Sequence, residues 1–279
     1  MYQLTQGTII YGIRSTKYPD VVCNGIVLSA RCDLANCKVD NVYYSVAIPC
    51  DEWLVSEEGF HTALAGKIKD IECKIEKWLQ TQLLDWDTMK GFTCDEFEKV
   101  LDVQCPDTKK KERSDLVDQF KTYSVYTSQA LPQETKREVL SKEKKYISTF
   151  LSNIAGGQAS HFAYIPQDAY RANGCLDNGL IVDLQELERI DAKTVDLICA
   201  YAVDSKNEDL PEPQIALYNK QFFLHNGPGY ASPDCDIESP WIEYLMQRFS
   251  NSFIRIGVDG PQKDNVAALI KRVCEGGEQ

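Results

Sequence analysis

Residues 25–50 read GIVLSARCDLANCKVDNVYYSVAIPC. The run opens on Ile26-Val27-Leu28-Ser29, a short apolar block of the kind that forms a fully buried strand. A polar turn follows at Asp33-Leu34-Ala35-Asn36, and the chain then leaves in strict alternation. Val42, Tyr44, Val46 and Ile48 fall on one side of the outgoing strand, and Tyr43, Ser45 and Ala47 on the other. Strand, polar elbow and strand make a hairpin-like unit.

Upstream, Gly7 to Ile13 reads as an opening strand, a polar loop passes through Lys17-Tyr18-Pro19-Asp20, and Val21 to Ser29 supplies the next strand. Three strands so close together predict a compact antiparallel sheet or small barrel. Downstream the period changes. Leu64, Ile68, Ile71, Ile75 and Trp78 recur in steps of three and four, the mark of one helix face, which predicts a helix from His61 to Leu84. A shorter helix is predicted from Thr93 or Asp95, ending at Cys105-Pro106, and a longer one over Glu134 to Ile154, stopped by Gly156-Gly157. Lys109 to Arg113 reads as a solvated connection or a helix start.

The β period returns at His161 to Pro166 and Gly179 to Leu184, and the apolar run Thr194 to Val203 is expected to rejoin the same sheet. Gln214 to Leu217 and the turn His225 to Gly229 read as loop. Ser239-Pro240 is a helix-start signal, followed by Ile242, Leu245, Met246, Phe249 and Phe253 on one face. A final helix is expected over Lys263 to Cys274. The fold class expected is α+β. A small SH3-like barrel or antiparallel sheet would be formed by residues 1–55 and 158–235, with a helical insertion at 56–157 and a C-terminal helix pair at 236–279.

Apolar content of 43% and charged content of 26% suit a globular protein with a sizeable core. No run of about 18 apolar residues is present, so no membrane-spanning helix and no membrane partner are expected. The first residues carry no basic leader, and the expected location is the cytoplasm. Eleven scattered cysteines in a chain of 279 residues read as reduced, mostly buried thiols. A net charge of −12 argues against a surface devoted to nucleic acid. The segment from Asp107 to Lys145, with ten basic and seven acidic side chains, is locally +3, which suits a protein partner.

Asn24-Gly25-Ile26-Val27-Leu28-Ser29, then Asn36, then Val46-Ala47-Ile48-Pro49 resembles the strand, Asn-containing loop and strand ending in Val-Pro of MazF/PemK-type growth-inhibitor toxins. That resemblance implies an SH3-like barrel and, by extension, RNA cleavage by a basic residue and an acid or hydroxyl. Here Asn24 stands where the family has arginine, Cys50-Asp51 follows the proline, and the nearest basic residue is Arg31. Phosphodiester cleavage needs a cation for the developing charge and groups for proton transfer. A second resemblance rests on Cys32, Asp33, Leu34, Asn36 and Lys38 with Ser239, Pro240, Tyr244, Leu245, Arg248, Phe249, Arg255, Ile256 and Gly257. It is to poorly characterised bacterial proteins, and it implies an accessory role in stress or phage-defence modules.

Were the chain an enzyme, the candidate catalytic residues are Cys32, Asp33, Arg31 and His161, a thiol and an acid that a nearby imidazole would activate. The alternative is that Asp33 and Asn36 bond the turn backbone while Cys32 packs inward. Candidate binding residues are Asp33, Asn36, Lys38, Arg248 and Arg255. Cys23, Cys32, Cys37 and Cys50 lack the tight pairing of structural zinc sites, and no phosphate loop is present, so neither metal nor cofactor is expected. The function expected is a non-catalytic interaction protein with a protein partner, and the competing class is an endoribonuclease or cysteine-dependent hydrolase.

Overall fold

The alternating stretch becomes the central strand of a six-stranded antiparallel sheet. In the computed structural model, residues 3–13, 15–36, 38, 40–104, 110–158, 161–170, 179–204 and 231–254 are described. The strands are β1 (Thr8–Ile13), β2 (Cys23–Val27), β3 (Asn41–Pro49), β4 (Phe162–Ile165), β5 (Leu180–Asp191) and β6 (Ser232–Asp236). Their order is β4-β5-β3-β2-β1-β6, every neighbouring pair antiparallel. The chain is therefore α+β, and strands from its two halves share one sheet.

Both sheet faces are covered. Val42, Tyr44, Val46 and Ile48 lie in one cluster with Trp53, Phe162 and Ile198, while Ala47 joins the other with Ile9, Ile26, Val182 and Leu245. Burial of both faces explains why Ser45 and Ala47, on the other side of β3, are fully buried as well, leaving Tyr43 45% exposed. The first face is covered by α2 (Cys50–Val55), α8 (Lys144–Ala155) and α9 (Ala192–Asp204), and the second by α10 (Trp241–Ile254).

Between α2 and β4 run α3 (Glu57–Thr81), α4 (Trp86–Met89), α5 (Cys94–Gln104), α6 (Lys110–Tyr126), α7 (Gln133–Lys142) and α8. Most of these share a third core, centred on Phe60, Leu64, Phe97, Phe120 and Leu101. Phe97 and Phe120 stack with ring centroids 3.9 Å apart. Thr93 and Glu96 form a reciprocal capping box at the start of α5. Among the described residues no helix is long and apolar enough to cross a membrane.

Several elements differ from the sequence expectation. The turn at Asp33 is a short helix, α1 (Arg31–Ala35). The first long helix begins at Glu57 rather than His61, because Ser56 caps it by accepting the Gly59 N–H at 3.1 Å. Glu134 to Ile154 is two helices, not one, with the break at Glu143. The Glu143 carboxylate accepts the Tyr126 hydroxyl at 2.8 Å and pairs with Lys67 at 3.0 Å, drawing the junction onto α3 and α6. Thr194 to Val203 is not a strand but lies in α9. Asp191 accepts the Thr194 N–H and hydroxyl and starts the helix, and Val195, Ile198 and Cys199 then follow helical spacing. That hydrogen bond from Thr194 holds the Asp191 carboxyl below its ordinary range. The expected final helix over 263–274 and the loops over 214–229 lie outside the described residues.

Candidate functional site

Sequence reasoning placed the chemistry on α1, which connects β2 to β3. Arg31, Cys32, Asn36 and Lys38 are exposed and Asp33 is half-buried. The Cys32 thiol faces solvent beside its neighbour, with Sγ 3.6 Å from Asp33 Oδ1, so Cys32 does not pack inward. Asn36 does bond the local backbone, donating Nδ2–H to the Cys32 carbonyl. His161 lies before β4, where its carbonyl accepts the Leu184 N–H at 2.9 Å, and among the described residues it makes no bond to α1. Arg248 donates to the carbonyls of Gly157 and Phe162, fastening α10 to β4. Arg255 and Cys37 lie outside the described residues. No group of three His, Cys, Asp or Glu side chains among the described residues could hold a metal ion.

Asn24, in the position where the toxin-like pattern has arginine, is fully buried on β2 opposite Ala47. Among the described residues, neither end of its amide finds a hydrogen-bond partner. Cys50 and Asp51 begin α2, and burial pushes the Cys50 thiol up to about 11. Cys23 sits in the first core, where burial, helped by the charges of Glu52 and Glu186, pushes its thiol up to about 12. Both thiols are therefore neutral and poor nucleophiles at pH 7.

A dense polar cluster lies elsewhere, where the β1–β2 loop crosses β5. Asp183 is 1% exposed. Its Oδ2 accepts hydrogen bonds from Lys17 Nζ and the Tyr18 hydroxyl, each at 2.8 Å. Its Oδ1 accepts the Gln185 N–H at 3.0 Å, and its backbone carbonyl accepts the Ser45 hydroxyl at 2.6 Å. Lys17 also stands 3.6 Å from Glu58 at the start of α3. Burial alone would lower the Lys17 ammonium, but the hydrogen bond and charge of Asp183, with Glu58 and Glu186 behind it, hold it above its ordinary value. Burial and the Asp183 charge push the Tyr18 phenol strongly up. Charge-assisted bonds of this geometry fix a side chain in place. Here they tie loop, sheet and helix together around one carboxylate.

Glu186, at the rim of this cluster, has its carboxyl pushed up by burial and by the charge of Asp183, with Lys17 pulling the other way. A carboxyl raised in the fold binds its proton more tightly there than in the unfolded chain, so stability falls as pH rises from about 4.5 through the folded value. Glu186→Gln is expected to raise the melting temperature at pH 7 and to leave it unchanged at pH 4, read by thermal melts at the two pH values.

Sequence reasoning missed this cluster. The signal was a charged residue inside an otherwise apolar strand, GLIVDL at 179–184. Comparison with family models, with curated proteins and with solved structures finds no match for this chain.

Proposed function

We propose that the chain is a non-catalytic interaction protein, an adaptor, sensor or regulatory subunit in a bacterial stress or phage-defence module, built on a partly open SH3-like barrel of the MazF/PemK kind. Two contacts support the barrel reading. Tyr170, after β4, bridges Ile237, after β6, and Glu238 donates its N–H to the Ala169 carbonyl at 2.8 Å. The two edges of the sheet are thereby tied at one end, as a nearly closed sheet requires.

The observation that carries the functional reading is the free half of β5. Strand β4 pairs with β5 only over Leu180 to Asp183, and beyond that, among the described residues, β5 has β3 on one side and no strand on the other. Leu187, 40% exposed, lies opposite Ser45 on this stretch, and Tyr43, 45% exposed, lies opposite Arg189, so the two exposed apolar side chains are diagonal neighbours. Glu186 and Glu188 flank Leu187. An unpaired strand edge invites an extended peptide, and two carboxylates select a basic one. The occupant is an extended, lysine- or arginine-bearing segment of a partner protein.

The test places a photo-crosslinking residue at Leu187 in the full chain, in its native host, and identifies the crosslinked peptide by mass spectrometry. An extended basic peptide whose capture is lost in the Tyr43→Ser, Leu187→Ser double variant, with the melting temperature preserved, is the expected result. RNA cleavage or ester hydrolysis by the purified chain that disappears in Arg31→Ala or Asp33→Ala overturns the reading in favour of the enzyme.

A further inference from the structure

Between the β1–β2 loop, the start of α3 and the start of α7 lies a cleft of about 480 Å³, within the size range of small-molecule sites. Val21, Val55, Leu131 and Pro132 give it apolar walls. Both helices open onto it with their N-terminal ends, where partial positive charge collects. Ser56 caps α3, but α7 follows Pro132 and no side chain caps it, so its first N–H groups lack the usual acceptor.

Lys136, one turn into α7, is the second observation. It lines the cleft and is 7% exposed. Among the described residues its ammonium has no hydrogen-bond acceptor and no carboxylate at ion-pair distance. Its one polar contact is the Phe60 ring, 5.8 Å from Nζ to the centroid. A ring face attracts a cation but does not satisfy three N–H donors. Lys17 on the opposite wall is different, being held by Asp183 at 2.8 Å and Glu58 at 3.6 Å. Lys136 is thus a cation with no carboxylate at ion-pair distance among the described residues, next to an uncapped helix start. A largely buried lysine whose ammonium meets only the cleft and a ring face gains most when an anion arrives there. The acids Asp20, Glu57 and Glu58 also line the cleft and repel a dianion more strongly than a monoanion.

We propose that this cleft binds a small aliphatic monocarboxylate. Its carboxylate takes the Lys136 ammonium and the free N–H groups of α7, and its hydrocarbon body lies against Val55 and Leu131. The site is separate from the β5 edge and stands whether or not a protein docks there.

The experiment titrates the full chain with sodium isovalerate, with isovaleramide as the neutral isostere, and with inorganic phosphate, by calorimetry and by amide chemical shifts. Saturable binding of isovalerate is expected, with shifts centred on Gln133 to Lys136. Isovaleramide should bind at least about tenfold more weakly, the scale of one charge-assisted hydrogen bond. Lys136→Met should weaken isovalerate by a similar factor, and Lys136→Arg should keep most of the affinity. Equal binding of the amide, tighter binding of phosphate, no saturable response, or full affinity in a folded Lys136→Met variant would each overturn the proposal. The comparison of acid with amide is made on the unaltered chain, so it decides the matter even if a variant at position 136 fails to fold.

Discussion

Asp183→Ala is expected to cost about 3–5 kcal/mol, a large part of an ordinary domain's net stability. Asp183 is almost completely buried, and its carboxylate accepts from the Lys17 ammonium, the Tyr18 hydroxyl and the Gln185 N–H. Truncation takes the acceptor from all three donors at once. Lys17 is left with Glu58 at 3.6 Å, and Tyr18, itself 3% exposed, loses its acceptor. The cost is dominated by the groups left behind rather than by the value of the bonds themselves, which fixes the pattern across variants. Asp183→Asn keeps the shape and can still accept, so it should lose less. The double variant Lys17→Met, Asp183→Leu removes both charges together and should recover much of the loss, because a buried pair exchanged for apolar groups is often neutral. Urea denaturation of these chains, together with the single variants Lys17→Met and Asp183→Leu, reads all of this. A fully additive double variant would show that the two side chains do not interact in the folded protein. The alkaline limb gives an independent check. Lys17 and Tyr18 are both raised, so the stability they contribute is complete below their unfolded values of 10.5 and 10.0 and is lost as pH rises through the folded ones. Asp183→Asn should flatten that limb.

What the sequence could reveal divides according to how local the determining physics is. The alternation of Val42, Tyr44, Val46 and Ile48 is local, and those residues are buried together on one face of β3. The helix face running from Leu64 to Trp78 is equally legible, with Leu64, Ile71 and Ile75 buried and Ile68 and Trp78 packed against them. In the run LICAYAV, by contrast, nearly every position is apolar, so neither period stands out and strand cannot be told from helix. What decides it is Asp191, whose carboxylate caps Thr194 three residues on. Non-local facts were out of reach. Lys17 and Asp183 are 166 residues apart and meet only because β5 enters the sheet beside β3. Lys136 reads in sequence as one more cation on a charged helix, and its burial comes from the packing of α7 against α2 and Phe60. Among the described residues no hydrogen bond joins Cys32 to His161, and a motif in sequence says nothing of which strand its partner will occupy.

Gly59→Ala should destabilise the chain by about 3 kcal/mol or more, although helix propensity alone predicts a gain of nearly 1 kcal/mol. Gly59 lies in the first turn of α3, directly under the end of α2. A Cβ built there would stand 1.8 Å from the Trp53 carbonyl oxygen and 2.6 Å from its carbon. Those are backbone atoms and cannot swing aside. The same carbonyl also accepts the Ser56 N–H at 3.1 Å and hydroxyl at 2.7 Å, so it is fixed by the cap of the very helix that would push against it. Relief would require α2 to lift away, taking Trp53 with it. Trp53 is fully buried, stacked on Phe150 of α8 at 5.7 Å and edge-on to Phe162 of β4 at 5.1 Å, and it joins two helices to the sheet. Loss of a buried tryptophan's packing costs about 3–5 kcal/mol, well above any propensity gain. Gly66, two turns along the same helix, is the internal control. Its Cβ would find Tyr146 Cδ1 at 3.6 Å, an ordinary contact, so Gly66→Ala should stabilise by roughly 0.5–1 kcal/mol. Opposite signs at two glycines of one helix cannot come from propensity, and equal signs in chemical denaturation would mean that the α2–α3 elbow is not closed on Trp53.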